Sequence, residues 1–249
     1  MYKNLSTLLK ASAFSFIFTL LSVRCDSAIL INFDAGPGNL QTGQAVLGNS
    51  PTDAWNRIDD AVTPGGDSYT ALVDSNSNPL PTVTFTRTGT PYDGSGTGTT
   101  PDMNPGTTNL MEDFLWTYNG NASTNPVIWT LSGLSEYSGN SFTLVIYAAG
   151  DTGDGGASST LALATGNGGD SASTSGSSRM ISDGQGVAYV ELSGTVDALG
   201  EVQFIQTSAN FTAFNGAQLQ IVPEPTIWAM LIGGVGVLNF WGRIRRLNK

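Results

Sequence analysis

Apolar and polar positions alternate with period two, in short bursts, through the middle of this chain. The segments 28–33 (AILINF), 69–73 (YTALV), 82–88 (TVTFTRT), 127–131 (VIWTL), 141–149 (SFTLVIYAA), 160–164 (TLALA), 187–192 (VAYVEL), 202–207 (VQFIQT) and 217–222 (AQLQIV) are each flanked by Gly, Pro, Asn, Asp or Ser. In TVTFTRT, Val83 and Phe85 face one way and the threonines the other; in VQFIQT, Val202 and Phe204 share a side. Such alternation marks half-buried antiparallel strands. Nine or so short strands with turn residues between them predict an all-β fold, an antiparallel β-sandwich or jelly roll. No long amphipathic helical pattern competes. Residues 109–118 (NLMEDFLWTY) read as one or two helical turns or as a strand edge. Residues 89–106 and 166–178 carry many turn residues and no apolar period, and read as long loops, the second of low complexity. There is no convincing internal repeat, and one domain suffices.

The two ends break this pattern. At the C-terminus Val222 leads into Pro223, Glu224 and Pro225, then an apolar run over residues 226–241, then Arg243, Arg245, Arg246 and Lys249. The two prolines fix φ and remove two backbone donors, so the segment is extended. The run of about 16 apolar residues falls slightly short of the roughly 20 of an untilted span. Trp228 and Trp241 at its ends suit the membrane interface, and snorkelling of the terminal cations lengthens its reach. A C-terminal transmembrane helix is expected, with the basic cluster cytoplasmic and the body on the far side. At the N-terminus Lys3 and Lys10 precede an apolar stretch over residues 11–23, too short to span, then small residues around Ser27 and Ala28. This is the pattern of a secretory signal peptide cleaved after Ser27 or Ala28. Arg24 stands where a lipidation motif at Cys25 needs a small residue. The expected organisation is a signal peptide over 1–28, a β-sandwich domain over 29–221 and a C-terminal targeting segment over 222–249.

Charge is distributed unevenly. The 249-residue chain carries 10 Lys and Arg against 20 Asp and Glu. Between Ile29 and Val222 the only cations are Arg57, Arg87 and Arg179, set against 18 acidic residues, a formal charge of −15. Such a body repels nucleic acid and anionic lipid and favours cations; solubility in an ionic exterior is the simpler explanation. The chain has no histidine and one cysteine, Cys25, inside the signal region. Histidine-based triads, His-ligated zinc, thiol nucleophiles and disulfides are therefore excluded from the body. Carboxylate chemistry such as a glycosidase pair is the enzymatic option left, and the spacing of Glu112, Asp113, Glu136, Glu191 and Glu201 does not indicate one.

The C-terminal series, Pro223-Glu224-Pro225, apolar segment and basic cluster, resembles the PEP-CTERM sorting signal of Gram-negative bacteria. The resemblance covers about a tenth of the chain. It implies export, retention by the tail, and processing near Pro-Glu-Pro by an exosortase, a membrane-embedded cysteine protease or transpeptidase. Val222, Pro223, Glu224 and Pro225 are then recognition residues, and the product is a cell-surface or extracellular protein. A second, shorter set of motifs comprises Ile31-Asn32-Phe33, Trp55-Asn56-Arg57-Ile58, Leu131-Ser132-Gly133-Leu134, the strand over 142–149 and Phe214-Asn215-Gly216-Ala217-Gln218-Leu219. These look like PEP-CTERM exoproteins with one galactose-binding-like jelly roll. That likeness implies a fold, with glycan affinity open.

Three kinds of candidate site remain. Asp151 and Asp154, in DTGDGG, resemble part of an oxygen-ligand calcium loop without the full spacing; a solvated turn explains the run equally well. Trp55, beside Asn56 and Arg57, and Tyr92, in a polar loop, are candidate sugar platforms, with core packing or loop anchoring the default for each. No cofactor is expected other than a calcium ion at that loop. The expected role is non-enzymatic: a structural or adhesive envelope protein associated with exopolysaccharide. A glycan-specific binding module is the alternative, and a carboxylate glycosidase a more distant one.

Overall fold

The computed structural model describes residues 28–37, 39–48, 50–59, 67–89, 94–97, 110–111, 113–117, 126–150, 158–177, 180–208 and 212–222. The signal peptide, Pro223–Pro225, the apolar run, the basic cluster, Tyr92, Asp151 and Asp154 lie outside them. Ala28–Val222 forms one compact unit. Among the described residues no helix is long and apolar enough to cross a membrane.

The strands in chain order are β1 (Ile29–Ala35), β2 (Asn56–Ile58), β3 (Ser68–Tyr69), β4 (Leu72–Val73), β5 (Pro79–Leu80), β6 (Thr84–Gly89), β7 (Gly94–Thr97) and β8 (Asp113–Thr117). They continue with β9 (Val127–Ser132), β10 (Ser141–Tyr147), β11 (Ser159–Leu163), β12 (Ser171–Thr174), β13 (Tyr189–Thr195), β14 (Val202–Thr207), β15 (Thr212–Phe214) and β16 (Gly216–Val222). A five-stranded sheet runs β13-β10-β16-β1-β2, and a six-stranded sheet runs β12-β11-β14-β9-β6-β3. A three-stranded sheet, β15-β8-β7, and the β4-β5 pair complete the set. Apart from the short parallel β1–β2 contact, pairing is antiparallel. The architecture is therefore all-β and sandwich-like.

The two large sheets share one apolar core. Ile31, Phe33, Leu144, Ile146, Leu192 and Leu219 come from the five-stranded sheet; Phe85, Trp129, Leu131, Leu161, Leu163 and Phe204 come from the six-stranded one. At its centre four rings stack in a row. Phe33 lies 4.3 Å from Phe85, Phe85 4.7 Å from Trp129, and Trp129 4.7 Å from Phe214. Side chains on facing strands meet this way because each strand directs alternate residues inward. A residual cavity of about 10 Å³ between Phe33, Phe85, Leu144 and Phe204 is entirely apolar. It is no larger than a single water needs, so this cavity is not a ligand site.

The pattern of connections separates two poles. Ile29 pairs with Ile221, so Ala28 and Val222 leave side by side. The connections at that end are short, over residues 133–140, 164–170 and 196–201. The connections over 36–55, 90–126, 148–158 and 175–188 leave from the opposite pole.

Several expectations need correction. The segment 69–73 is not one strand. Ala71 adopts φ 58°, a left-handed conformation that an L-residue reaches only at a cost and that no strand continues through, so β3 ends before it and β4 begins after. The expected loop over 166–178 contains β12 and a 3₁₀ turn at Thr165–Asn167. The loop over 89–106 contains β7, and 113–117 resolves the open choice in favour of a strand, with Leu110 and Met111 helical.

The 166–178 stretch is ordered by a polar rivet. Asn167, 1% exposed, donates from Nδ2 to Thr195 O (3.0 Å) and Glu201 O (2.8 Å) and accepts from Gln203 N (2.9 Å) at Oδ1. This ties the β11–β12 turn to both ends of the β13–β14 connection. Gly194 allows the approach: a Cβ there would collide with Asn167 O and come within 2.8 Å of the Phe142 ring and 2.9 Å of Leu163. Asn167→Ala, which orphans three buried backbone groups, is expected to lower unfolding free energy by about 2–3 kcal/mol in urea titrations. Gly194→Ala is expected to destabilise by about 1–3 kcal/mol through overpacking. A Gly194→Ala protein as stable as the parent would show that the turn is not held against β13.

Candidate functional site

Two sheet faces point away from the core, and their chemistry differs. The outer face of the five-stranded sheet is covered over β1 and the adjoining parts of β16 and β10, while the outward residues Glu191 and Ser193 of β13 are exposed. β1 is buried along its whole length: Ile29, Ile31, Phe33 and Ala35 enter the main core, while Asn32 and Asp34 face outward beneath the connection over 36–55. A second cluster forms there, with Trp55, Val145 and Tyr147 packed by Leu40, Val46 and Leu47.

Gln218, fully buried at the centre of β16, organises that layer. Its Oε1 accepts from Leu47 N (2.8 Å) and from the Tyr147 hydroxyl (2.6 Å); its Nε2 donates to Asn32 Oδ1 (2.9 Å) and Leu47 O (3.0 Å). All four capacities of the amide are used. The Tyr147 hydroxyl also accepts from Val46 N at 3.0 Å. Asn32 donates to Ala54 O (2.9 Å), and Asn56 donates to Asn32 O (2.9 Å) and Val73 O (2.8 Å). Gln41 receives Leu110 N at 3.2 Å, and its own N–H reaches Asp34 at 2.6 Å. At the strand ends Asn215 accepts from Ala149 N at 2.8 Å. The amide residues of the short motifs, Asn32, Asn56, Asn215 and Gln218, thus satisfy backbone groups under a covering segment. They are structural, and the period-two reading gave no sign of the cover because buried amides look like solvent-facing positions.

Trp55 belongs to this layer. It is 5% exposed, and its indole N–H donates to Gly43 O at 2.8 Å. The ring anchors the 36–55 connection, the default role weighed for it, and offers no surface platform for a sugar. Val222, at the end of β16, is 50% exposed.

Three of the described aspartates serve nearby backbone groups. Asp74 accepts from Asn76 N (2.9 Å), Asn78 N (2.8 Å) and Asn78 Nδ2 (2.8 Å), closing the β4–β5 loop. Asp197 accepts from Leu199 N and Glu201 N; Asp170 accepts from Ser171 N and Ser193 N. Among the described residues no group of three or more His, Cys, Asp or Glu is placed to hold a metal ion.

The outer face of the six-stranded sheet is different. Its strands contain one charged residue, Arg87, and that residue turns inward to pair with Asp67; both side chains are almost wholly buried. The backbone supports the pair, since Arg87 N donates to Asp67 O at 2.9 Å. The outward positions are Thr84, Thr86 and Thr88 on β6, Ile128, Thr130 and Ser132 on β9, and Gln203, Ile205 and Thr207 on β14. Thr160, Ser171 and Ser173 extend the face onto β11 and β12. The strands are in register, with Thr86 opposite Thr130 and Thr130 opposite Gln203. Neighbouring side chains are cross-linked: Gln203 Nε2 donates to Thr130 Oγ1 (2.9 Å), Thr86 Oγ1 donates to Thr130 O (3.3 Å), and the Thr160 and Ser173 hydroxyls lie 3.0 Å apart. In a body of charge −15, this sheet presents an uncharged field of hydroxyl, amide and methyl groups on its described strands. The alternation in TVTFTRT places the threonines on one side; only the register shows that four more strands continue the face.

Comparison with known proteins matches this chain to no family model, no curated protein and no solved structure.

Two outcomes are expected from this geometry. Burial pushes the Tyr147 hydroxyl well above the ordinary tyrosine range, outweighing the Val46 N–H that pulls the other way. The folded state thus keeps a proton that the unfolded chain releases. Tyr147 contributes fully below about pH 10 and loses that contribution as pH rises further, at about 1.4 kcal/mol per pH unit. Tyr147→Phe should lower stability at neutral pH by about 1–3 kcal/mol and flatten the alkaline decline, as read from urea midpoints across pH 8–12; an unchanged alkaline slope would refute this. Asp67→Ala, which removes the carboxylate paired with a buried guanidinium, should cost about 3–5 kcal/mol in the same assay, and a neutral result would show that the pair does not hold the layer.

Proposed function

We propose that this chain is an exported envelope protein, delivered by an N-terminal signal peptide, held by a C-terminal membrane segment and sorted by an exosortase-like enzyme. The observation that carries this reading is the order of the tail: Pro223-Glu224-Pro225, the apolar run over 226–241, then Arg243, Arg245, Arg246 and Lys249. Two features of the body fit it. Ala28 stands one residue before β1, so cleavage after Ser27 leaves the strand whole; Pro223 follows directly on the last residue of β16, so processing at Pro-Glu-Pro leaves the sheet intact. With seven of the ten cations in the two ends, their removal leaves an acidic, soluble product.

The body, on this reading, is a non-enzymatic jelly roll of galactose-binding-like type with a structural or adhesive role in surface exopolysaccharide. Two facing sheets, with chain crossings between them and the first and last strands paired, support the jelly-roll assignment. The chemistry of the uncharged outer face supports the association with polysaccharide.

The test is mass-spectrometric mapping of both termini of the protein isolated from its native cells. An N-terminus at Ala28 or Ile29 and a C-terminus within Pro223–Pro225 are expected. A chain that retains Lys249 would make the tail a permanent anchor and remove the sorting step.

A further inference from the structure

We infer that the outer face of the six-stranded sheet is the docking surface, and that its partner is an uncharged polysaccharide lying flat across β6, β9 and β14. This rests on the reading of the body as an exopolysaccharide-associated module, and assigns that role to a surface other than the loop aromatics. Three observations carry it.

The first is charge. Every outward side chain on the strands of this face is neutral, and the one ion of the sheet, Arg87, is turned inside and matched by Asp67. A neutral partner meets this face without desolvating an ion, which would otherwise oppose binding. An anionic polymer is repelled by the −15 body. The second is hydrogen-bonding capacity. Threonine and serine hydroxyls both donate and accept, and the Gln203 amide does both as well. A sugar hydroxyl also does both, so its orientation against the row is not prescribed. Between these groups Ile128, Ile205 and the threonine methyls provide apolar area for the C–H faces of the rings, the mixture typical of small-molecule and sugar contacts. The third is size. With strands about 4.8 Å apart and a rise of about 3.4 Å per residue, five strands make a field of roughly 20 Å by 17 Å. That covers several sugar rings and is less than half of the ~800 Å² per partner of a standard protein interface. A long polymer compensates for weak single contacts by engaging many copies; a second copy of this chain has no such recourse.

The experiment is a depletion assay with the mature protein from its native cells. The probes are microcrystalline cellulose, chitin and starch granules as neutral polymers, and calcium alginate beads as the anionic one. Depletion by at least one neutral polymer is expected, persisting at high salt, with alginate taking up less. Thr86→Glu and Thr130→Glu should each reduce retention by about tenfold or more with far-ultraviolet circular dichroism unchanged. Thr130→Val keeps shape and strand preference but loses the hydroxyl. It should reduce retention by about two- to tenfold, the equivalent of one hydrogen bond, and together with Gln203→Ala it decides the matter if the glutamate variants do not fold. Absence of depletion by every neutral polymer overturns the inference, as does retention of all variants at the parental level. Sedimentation showing a dimer that Thr130→Glu dissociates would also overturn it, placing a second copy on the face. Failure here with both termini processed leaves the delivery reading standing. Binding by a protein that keeps Lys249 supports the face and removes the sorting step.

Discussion

Burial of one sheet against the other across the row Phe33, Phe85, Trp129 and Phe214 is the constraint on which the remaining structure depends. The four rings come from β1, β6, β9 and β15, so three of the four sheets must be in place before the row is complete. With no disulfide available to the body, apolar burial is the main force holding the sheets together. Each ring contributes a large apolar area and a stacked geometry worth somewhat more than area alone. Everything outside this core is arranged so as not to disturb it: the cover over 36–55 brings its own apolar cluster, and the Arg87–Asp67 pair neutralises itself within the layer.

The acidic composition looks different once the turns are seen. In Asp74, Asp170 and Asp197 a carboxylate accepts two or more neighbouring hydrogen bonds and fixes a tight connection. A short acidic side chain is well suited to this because it competes for local backbone donors. Part of the negative charge is therefore a by-product of making short turns without proline, and needs no cation to justify it. Exposed acidic residues such as Glu136, Asp183 and Glu191 keep the surface hydrated, which sets the neutral sheet face apart from its surroundings.

Much of the sheet scaffold was legible. Strands with alternating apolar residues, such as β6, β9, β10, β14 and β16, follow the sequence pattern closely because one of their faces enters the core. β12 was not legible: Ser171, Ala172, Ser173 and Thr174 offer one small apolar side chain, and the strand exists because backbone pairing with β11 and the Thr174 bond to Ala148 O hold it. The break at Ala71 is equally invisible, since alanine gives no hint of a left-handed backbone. Trp55 takes the default role weighed for it: its polar neighbours, Asn56 and Arg57, raised the option of a sugar contact, and the indole N–H has found a carbonyl inside. The neutral face was half legible. Alternation within a strand shows which side a threonine takes, but a row across strands depends on register, and register is a property of pairing rather than of any one segment.

The position of β16 has a consequence for the order of events. It is the last strand among the described residues, yet it lies between β1 and β10 in the middle of its sheet. Until residues 216–222 are available, β1 and β10 have no common neighbour, and the polar layer around Gln218 has no centre. The five-stranded sheet therefore stays incomplete until this strand arrives. Pairing of the two most distant strands also entails the largest loop closure the domain contains, which favours slow folding. On the export route proposed above, where a chain is threaded unfolded through a channel, a topology that postpones the native state in this way is an advantage.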